Sequence, residues 1–161
     1  QDLLAEAKKQ RVPIKEQMAG VTWQKGDALF RYMWPTDTHY EGNNDSLVLM
    51  MTYGAFKALF TGDLEEEGEQ ALIRQEGANI ANIDVLKAGH HGSKTSSSDG
   101  FIEHVKPRLT IFMAGKDNRY GHPHAEVVER LVSRKLPYLT TGEDGTIEVR
   151  MNKQRMSVSK Q

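Results

Sequence analysis

The sequence predicts a layered α/β (α+β) domain built on a mixed β-sheet. Two observations predict it: strand-like apolar runs come first along the chain, and later such runs alternate with helical patterns. This order is typical of helices packed on a sheet. The 161 residues are enough for one domain with a real core, and 38% hydrophobic with 27% charged residues is ordinary for a globular chain.

The first half of the chain is predicted to form one helix followed by strands. Two of these strands pair as a hairpin around Lys25-Gly26-Asp27, which favours a tight turn. The run Leu47-Val48-Leu49-Met50-Met51 is apolar throughout, which predicts a strand covered on both faces. The predicted elements of this half are a helix over 3–10 and strands over 12–15, 20–25, 28–34, 46–53 and 56–61.

The second half of the chain is predicted to alternate strands with helices. Its clearest helix has Val127, Val128, Leu131 and Val132 on one face. The last two strands are separated by Glu143-Asp144-Gly145, a turn signal. The predicted elements of this half are helices over 66–74, 100–105 and 123–134 and strands over 83–88, 109–114, 137–140 and 146–151.

Charge and composition exclude several classes of function. The net charge of −1 gives no overall footprint for nucleic acid, so any binding of a polyanion must be local. The chain has no cysteine, which excludes disulfides, cysteine-zinc sites and thiol nucleophiles. No apolar run approaches the roughly 20 residues that a transmembrane helix needs.

Two adjacent imidazoles, His90 and His91, lie between Gly89 and Gly92, directly after an apolar strand-like run. A histidine at a strand end can bind a metal through a neutral nitrogen or act as a general acid. The flanking glycines permit unusual backbone angles and close approach of a substrate. The alternative is a pair of loop histidines with ordinary hydrogen bonds, and the residues alone leave both interpretations open.

The residues after the histidine pair supply hydroxyl groups and a cation. Ser93 and Lys94 suit a bound phosphate group, although Ser93 could equally be structural. Residues 96–98 are all serine, and caps and turns are the favoured interpretation for them because a helix is predicted just beyond.

Asp63 follows Gly62 at the end of another apolar run, where the backbone can turn sharply and project the carboxylate. A carboxylate in that position could bridge two cations. On this segment alone the structural interpretation is favoured, since Asp63 and Glu66 have the spacing of a helix capping box.

His122 precedes Pro123, and proline favours the first position of a helix, so His122 is predicted to occupy the cap position. A helix N-terminus favours neutral imidazole, the form that binds metals. His124 is predicted to point elsewhere, which favours His122 as the ligand. Asn118 lies close to His122 in the sequence and is a candidate for contact with substrate.

Together these segments resemble one family, the metallo-β-lactamase-like domain of ComEC-type competence proteins, which are channel proteins for DNA uptake in bacteria. The resemblance covers most of the chain from about residue 20 onward. The segments, in chain order, are Asn43-Asn44-x-Ser46, Thr61-Gly62-Asp63-Leu64-Glu65, Asp84 to Ser98 with its His90-His91-Gly92-Ser93-Lys94 centre, Asn118-Arg119-Tyr120-Gly121-His122-Pro123-His124 and Asp144-Gly145-Thr146-Ile147.

The resemblance implies an αββα sandwich with a binuclear metal site, for which histidine and carboxylate ligands suit Zn²⁺ or Mn²⁺. It implies that Asp63 bridges the metals and that His122 is a terminal ligand. One of His90 and His91 would contact the scissile phosphate or protonate the leaving group, with the choice between them open.

The sequence departs from the superfamily pattern in its first half. The His-x-[His/Asp]-x-Asp-His cluster is absent, since the six histidines are at 39, 90, 91, 104, 122 and 124. Residues 1–161 are therefore expected to be a single partial domain, the C-terminal half, with weak or no metal binding and no normal activity alone. Its expected partner is the missing first half of the domain, and self-association is another way to cover the surface left exposed.

The function implied by the resemblance is metal-dependent hydrolysis of DNA, acting on the single strand that is not imported. The domain would belong to a bacterial cytoplasmic-membrane protein, with the outer face favoured. Ser93 and Lys94 would hold the phosphate. Two alternatives stay open: another hydrolase of the superfamily, acting on a small ester, lactone or phosphodiester, and a non-catalytic module that binds DNA or a protein partner.

Overall fold

The computed structural model describes residues 3–15, 17–37, 39–152 and 154–161. Seven strands form one sheet, and their order in the sheet follows their order in the chain. The first four strands pair antiparallel and the last four pair parallel, which confirms the predicted mixed sheet. The strands are β1 (Thr22–Lys25), β2 (Ala28–Trp34), β3 (Val48–Tyr53), β4 (Phe56–Phe60), β5 (Val85–Lys87), β6 (Leu109–Phe112) and β7 (Tyr138–Thr140).

Five α-helices and a separate hairpin complete the described fold. The hairpin pairs β8 (Ile147–Met151) with β9 (Met156–Lys160) and does not join the main sheet. The helices are α1 (Leu3–Lys9), α2 (Glu66–Ile80), α3 (Asp99–Val105), α4 (Ala125–Ser133) and α5 (Thr141–Asp144). Two 3₁₀ turns cover Gly42–Asp45 and Gly89–Gly92. None of the described helices is long and apolar enough to cross a membrane.

The hydrophobic core lies between one face of the sheet and helices α2, α3 and α4. Leu59 and Leu86 of neighbouring strands are paired in register and fully buried. The three helices contribute to the same core cluster through Leu72, Phe101 and Leu131. Helices on a mixed sheet are the arrangement predicted from the sequence, and the fold class is therefore confirmed as α+β.

The opposite face of the sheet is apolar and partly open towards the ends of the parallel strands. Phe60, at the end of β4, is 40% exposed, and Met113, just after β6, is 53% exposed. Leu49 of β3 is opposite Phe60 in the sheet and is only half-buried. The prediction of a β3 strand covered on both faces is therefore wrong for the face that carries Leu49. On the face towards the helices, Val48 and Met50 are buried as predicted.

Three other predicted elements differ in the structure. Residues 12–15 form no strand, because no described strand lies beside them, and Val12 and Ile14 stay exposed. Helix α2 continues to Ile80 rather than ending at 74. The strand over 146–151 pairs with β9, which the sequence interpretation missed, and a short helix rather than a simple turn separates it from β7.

One buried carboxylate fixes the loop that leads into α3. Glu69 of α2 is fully buried, and it accepts hydrogen bonds from the backbone N–H groups of Ser97 at 2.5 Å and Ser98 at 2.9 Å. Ser98 also caps α3 by accepting the N–H of Phe101, which confirms a capping role within the serine run. Burial raises the pKa of the Glu69 carboxyl, and the two hydrogen bonds oppose that rise.

Replacing Glu69 with glutamine is expected to change how stability depends on pH. Because the folded-state pKa lies above that of the unfolded chain, protonation favours the folded protein. The stabilisation due to protonated Glu69 is thus fully present below the unfolded pKa and is lost as pH rises through the folded pKa, by at most about 1.4 kcal/mol per pH unit. Glutamine does not ionise, so this fall in the free energy of unfolding should be missing from Glu69→Gln. Urea denaturation of both proteins between pH 4.5 and 8 measures the difference. Glu67→Gln, at an exposed neighbour, is the matched control; parallel curves for Glu69→Gln and the unmodified protein would contradict the expectation.

Candidate active site

Three loops that carry the predicted site residues meet at one edge of the sheet. They cover residues 61–65, 88–96 and 113–124, and they follow β4, β5 and β6. These strands are parallel neighbours, so their carboxyl ends lie side by side. Crevices at the carboxyl ends of parallel strands are the usual place for ligands in open α/β sheets.

Asp63 lies in a tight turn between β4 and α2. Gly62 has a φ of +58°, and a side chain there would come within 2.9 Å of the Ser46 Cβ, so this turn requires glycine. The Asp63 N–H donates to the Ser46 hydroxyl at 3.0 Å. The residue that caps α2 is Glu65, so the capping-box interpretation of Asp63 is wrong. The Asp63 carboxylate is therefore left available to face the cluster.

Lys87, which the sequence interpretation did not single out, lies beside Asp63. Its ammonium donates to the Gly62 carbonyl oxygen at 2.8 Å and lies 3.9 Å from the Asp63 carboxylate. Burial lowers the pKa of Lys87, and the charge of Asp63 opposes that change. The one signal in the sequence was a lysine ending an otherwise apolar strand. This ammonium supports the turn and balances the carboxylate.

His90 and His91 occupy the 3₁₀ turn after β5, both with left-handed backbone angles of φ 44° and 56°. Such angles are costly for residues other than glycine and cluster at functional sites. The Nδ1–H of His91 donates to the Met113 carbonyl oxygen at 2.7 Å. Its Nε2 lies 3.9 Å from Oδ1 of Asp63. The structure thus places His91, of the two histidines, next to Asp63.

His90 points into a different polar group, made by Asn43, Glu65 and Thr95. Asn43 Nδ2 lies 3.4 Å from His90 Nδ1 and donates to Oε1 of Glu65 at 3.0 Å. The Thr95 hydroxyl donates to the same oxygen at 2.9 Å, and His90 Nδ1 lies 3.7 Å from it. The hydrogen bond from Asn43 is the main reason that the pKa of Glu65 is lowered, against the effect of burial. Sequence reasoning favoured a turn for Asn43, which the structure confirms, but it missed this contact.

His122 completes the cluster from the third loop. Its ring centroid is 5.7 Å from that of His90 and 4.8 Å from that of His124. Helix α4 begins at Ala125 and its cap is His124, so the prediction that His122 caps this helix is wrong. Burial lowers the pKa of His122, and the neighbouring imidazoles lower it further. The neutral form is therefore favoured by burial rather than by a helix N-terminus.

Asn118 orders the loop that carries His122. Its amide nitrogen donates to the carbonyl oxygens of Gly115 at 2.8 Å and His122 at 2.6 Å. Its amide oxygen accepts the N–H groups of Tyr120 at 3.2 Å and His122 at 3.0 Å. These four bonds make Asn118 a positioning residue for His122, while its contact with substrate stays a prediction.

The two residues predicted to hold a phosphate lie at the rim of the histidine turn. Ser93 is buried, and its hydroxyl is bonded to the Thr95 hydroxyl at 3.1 Å. Lys94 is exposed, and its backbone N–H donates to His124 Nδ1 at 3.0 Å. Their role towards substrate stays a prediction, with Lys94 placed in the more accessible position.

The described residues do not by themselves fit a metal ion. Within the part of the chain that the structure describes, no three His, Asp or Glu side chains converge closely enough to hold one. Asp63 and His122, which the resemblance gives as ligands, are two donors only, and binuclear sites need several strong ligands.

Sequence comparison finds relatives over most of the chain, whereas no protein-family model matches it. "ComE operon protein 3" of Bacillus subtilis (strain 168) is 40% identical over 151 residues, which cover 92% of this chain and 19% of that protein. "Competence protein ComA" of Neisseria gonorrhoeae is 34% identical over 78% of this chain, and "Recombination protein 2" of Haemophilus influenzae is 33% identical over 87%. The chain spans about a fifth of the length of these curated relatives.

Proposed function

Because this chain belongs to the ComEC family of competence proteins, we propose that it is part of a DNA-uptake protein and forms half of a phosphodiesterase module. The proposed substrate is DNA, specifically the single strand that is not imported. The whole protein is proposed to be a bacterial membrane protein with this module on the outer face.

The observation that carries the proposal is the convergence of three loops on one polar cluster. Asp63, His91 and His122 reach the same sheet edge from segments far apart in the sequence, and the His90 ring lies 5.7 Å from that of His122. Imidazole N–H groups can hold the oxygens of a phosphodiester, and an imidazolium can protonate its leaving oxygen. The Lys87 ammonium supports the turn that carries Asp63. His90 and His91 both hold left-handed backbone angles within this cluster, a type of backbone strain that is found at functional sites.

The missing donors are proposed to come from a segment of the longer protein outside these residues. The support is twofold: the described ligand set is incomplete, and the face of the sheet beside Phe60 and Met113 is apolar and open. A second layer packed there would cover this face and reach the cluster. The proposed cofactor is Zn²⁺ or Mn²⁺, bound only when that layer is present.

The experiment compares this chain with one extended upstream by about 100 residues, a usual size for the remainder of a domain. Each protein is given Mn²⁺ or Zn²⁺ and end-labelled single-stranded DNA. Only the longer protein is expected to cleave. Asp63→Ala in the longer protein is expected to reduce cleavage more than about 100-fold, beyond the loss typical of outer-shell changes at metal sites.

The matched control for that substitution is Asp45→Ala, at an exposed position outside the cluster. It is expected to leave cleavage unchanged. If the longer, metal-loaded protein leaves DNA intact, the assignment of DNA as substrate fails, and a small ester or phosphodiester becomes the better candidate.

A further inference from the structure

We infer that the two adjacent histidines are held in opposite tautomers, so that His90 presents an N–H donor at Nε2 and His91 presents a lone pair at Nε2. The hydrogen-bond partners of the two Nδ1 atoms carry this inference. It rests on the proposed function only for the identity of the substrate oxygen that His90 would contact. The tautomers themselves depend on this chain alone.

The tautomer of His91 follows from its carbonyl partner. Nδ1 of His91 lies 2.7 Å from the Met113 carbonyl oxygen, and a carbonyl oxygen can only accept. The proton of neutral His91 is therefore on Nδ1, and Nε2 carries the lone pair. That lone pair lies on the side of Asp63, 3.9 Å from its Oδ1. His91 is thus arranged as an electron-pair donor.

The tautomer of His90 follows from the orientation of Asn43. The Glu65 carboxylate can only accept, so the group of Asn43 that faces it at 3.0 Å must be the NH₂ group. The same nitrogen lies 3.4 Å from His90 Nδ1 and has a second hydrogen to donate. His90 Nδ1 then accepts, and the proton of the neutral ring is on Nε2.

Glu65 does not reverse this assignment for His90. Its Oε1 lies 3.7 Å from His90 Nδ1, farther than the Asn43 amide nitrogen at 3.4 Å. That oxygen already accepts hydrogen bonds from Asn43 and from Thr95. Asn43 is therefore the positioning residue that selects the tautomer of His90, and Glu65 holds Asn43.

The consequence is a division of roles between two neighbouring residues. His90 is equipped to donate a hydrogen bond from Nε2 to an anionic oxygen such as a phosphoryl or leaving-group oxygen. His91 is equipped to share its electron pair and cannot donate from Nε2 while neutral. The sequence left these roles open, and the backbone turn separates them by giving each ring a different neighbour.

The test is long-range ¹H–¹⁵N NMR of the ¹⁵N-labelled 161-residue chain at pH 8.5, about two units above the ordinary imidazole pKa of about 6.5. The spectra distinguish protonated from unprotonated ring nitrogens, and His90→Gln and His91→Gln assign the signals. His104, remote from the cluster, is an internal reference because its Nε2–H donates to the Gly77 carbonyl oxygen at 2.8 Å. His90 is expected to match His104, and His91 is expected to show the opposite pattern.

Asn43→Ala tests the origin of the effect. It is expected to shift His90 towards the Nδ1–H tautomer, facing Glu65, while His91 and His104 keep their patterns. Asn79→Ala is the matched control, because Asn79 lies on helix α2 and its side-chain amide donates to Glu76. It should leave the signals of His90, His91 and His104 unchanged. The inference is overturned if His90 of the unmodified chain carries its proton on Nδ1, if His91 carries its proton on Nε2, or if Asn43→Ala leaves His90 unchanged. Neither metal nor DNA is present, so these outcomes are independent of the proposed nuclease activity.

Discussion

Replacing Trp34 with alanine is expected to lower the free energy of unfolding by about 4 kcal/mol. Trp34 ends β2 and is fully buried. Its indole packs against Tyr40 at a centroid distance of 4.1 Å, and its N–H donates to the Asn44 carbonyl oxygen at 2.8 Å. Alanine would leave a large cavity and an unpaired carbonyl oxygen, and both costs add.

The measurement is urea denaturation of the unmodified chain and its variants. Trp34→Phe keeps most of the ring but loses the hydrogen bond, so its loss should be smaller than that of alanine. Trp23→Ala is the matched control, because Trp23 lies on edge strand β1 and is 38% exposed. It is expected to cost about 1 kcal/mol, chiefly the stacking on Phe30. Equal losses at the two tryptophans would contradict the burial of Trp34.

Replacing Gly92 with alanine is expected to cost about 3 kcal/mol and to separate two of the site loops. Gly92 has a φ of +90°, and an added Cβ would lie 2.6 Å from the Pro123 Cβ and 2.7 Å from a ring carbon of Phe112. Overpacking of this kind costs about 1–3 kcal/mol, and the left-handed backbone adds to that cost. The Gly92 carbonyl oxygen also accepts the N–H of His124 at 2.9 Å, so the histidine turn and the His122 loop meet here.

Gly100→Ala is the matched control for Gly92→Ala. Gly100 lies in helix α3, and an added Cβ there meets no atom within 4 Å. The control is expected to be neutral or to stabilise by about 0.5–1 kcal/mol. In NMR spectra of Gly92→Ala, the ring signals of His90, His91 and His122 should shift together, whereas Gly100→Ala should leave them in place. An unchanged stability of Gly92→Ala would show that the two loops are not tightly packed.

Most strands of the main sheet could be predicted because each is a short apolar run that a turn signal closes. The hairpin of β1 and β2 is the clearest case, since the glycine and aspartate between them specify it. What a strand pairs with is less predictable. Residues 146–151 were expected to form a strand, which they do, but the partner is β9, whose sequence is mainly polar and exposed. Pairing depends on contacts that local patterns do not encode.

The candidate site was predictable only for side chains next to glycine or proline signals. Asp63, His90, His91 and His122 stood out for that reason, and the structure brings these four to one sheet edge. Lys87 and Glu65 were missed because their importance comes from neighbours distant in the sequence, the Gly62 carbonyl and Asn43.

The strand order of the main sheet has a consequence for the way this chain can fold. Each new strand of β1 to β7 adds to the edge left by the one before it, so no segment must thread between strands already paired. The longest closure in the sheet joins residues fewer than about 30 positions apart, a modest entropic cost. The sheet can therefore grow in step with translation, and the loops bearing Asp63, His91 and His122 would take their places in the order in which the ribosome releases them.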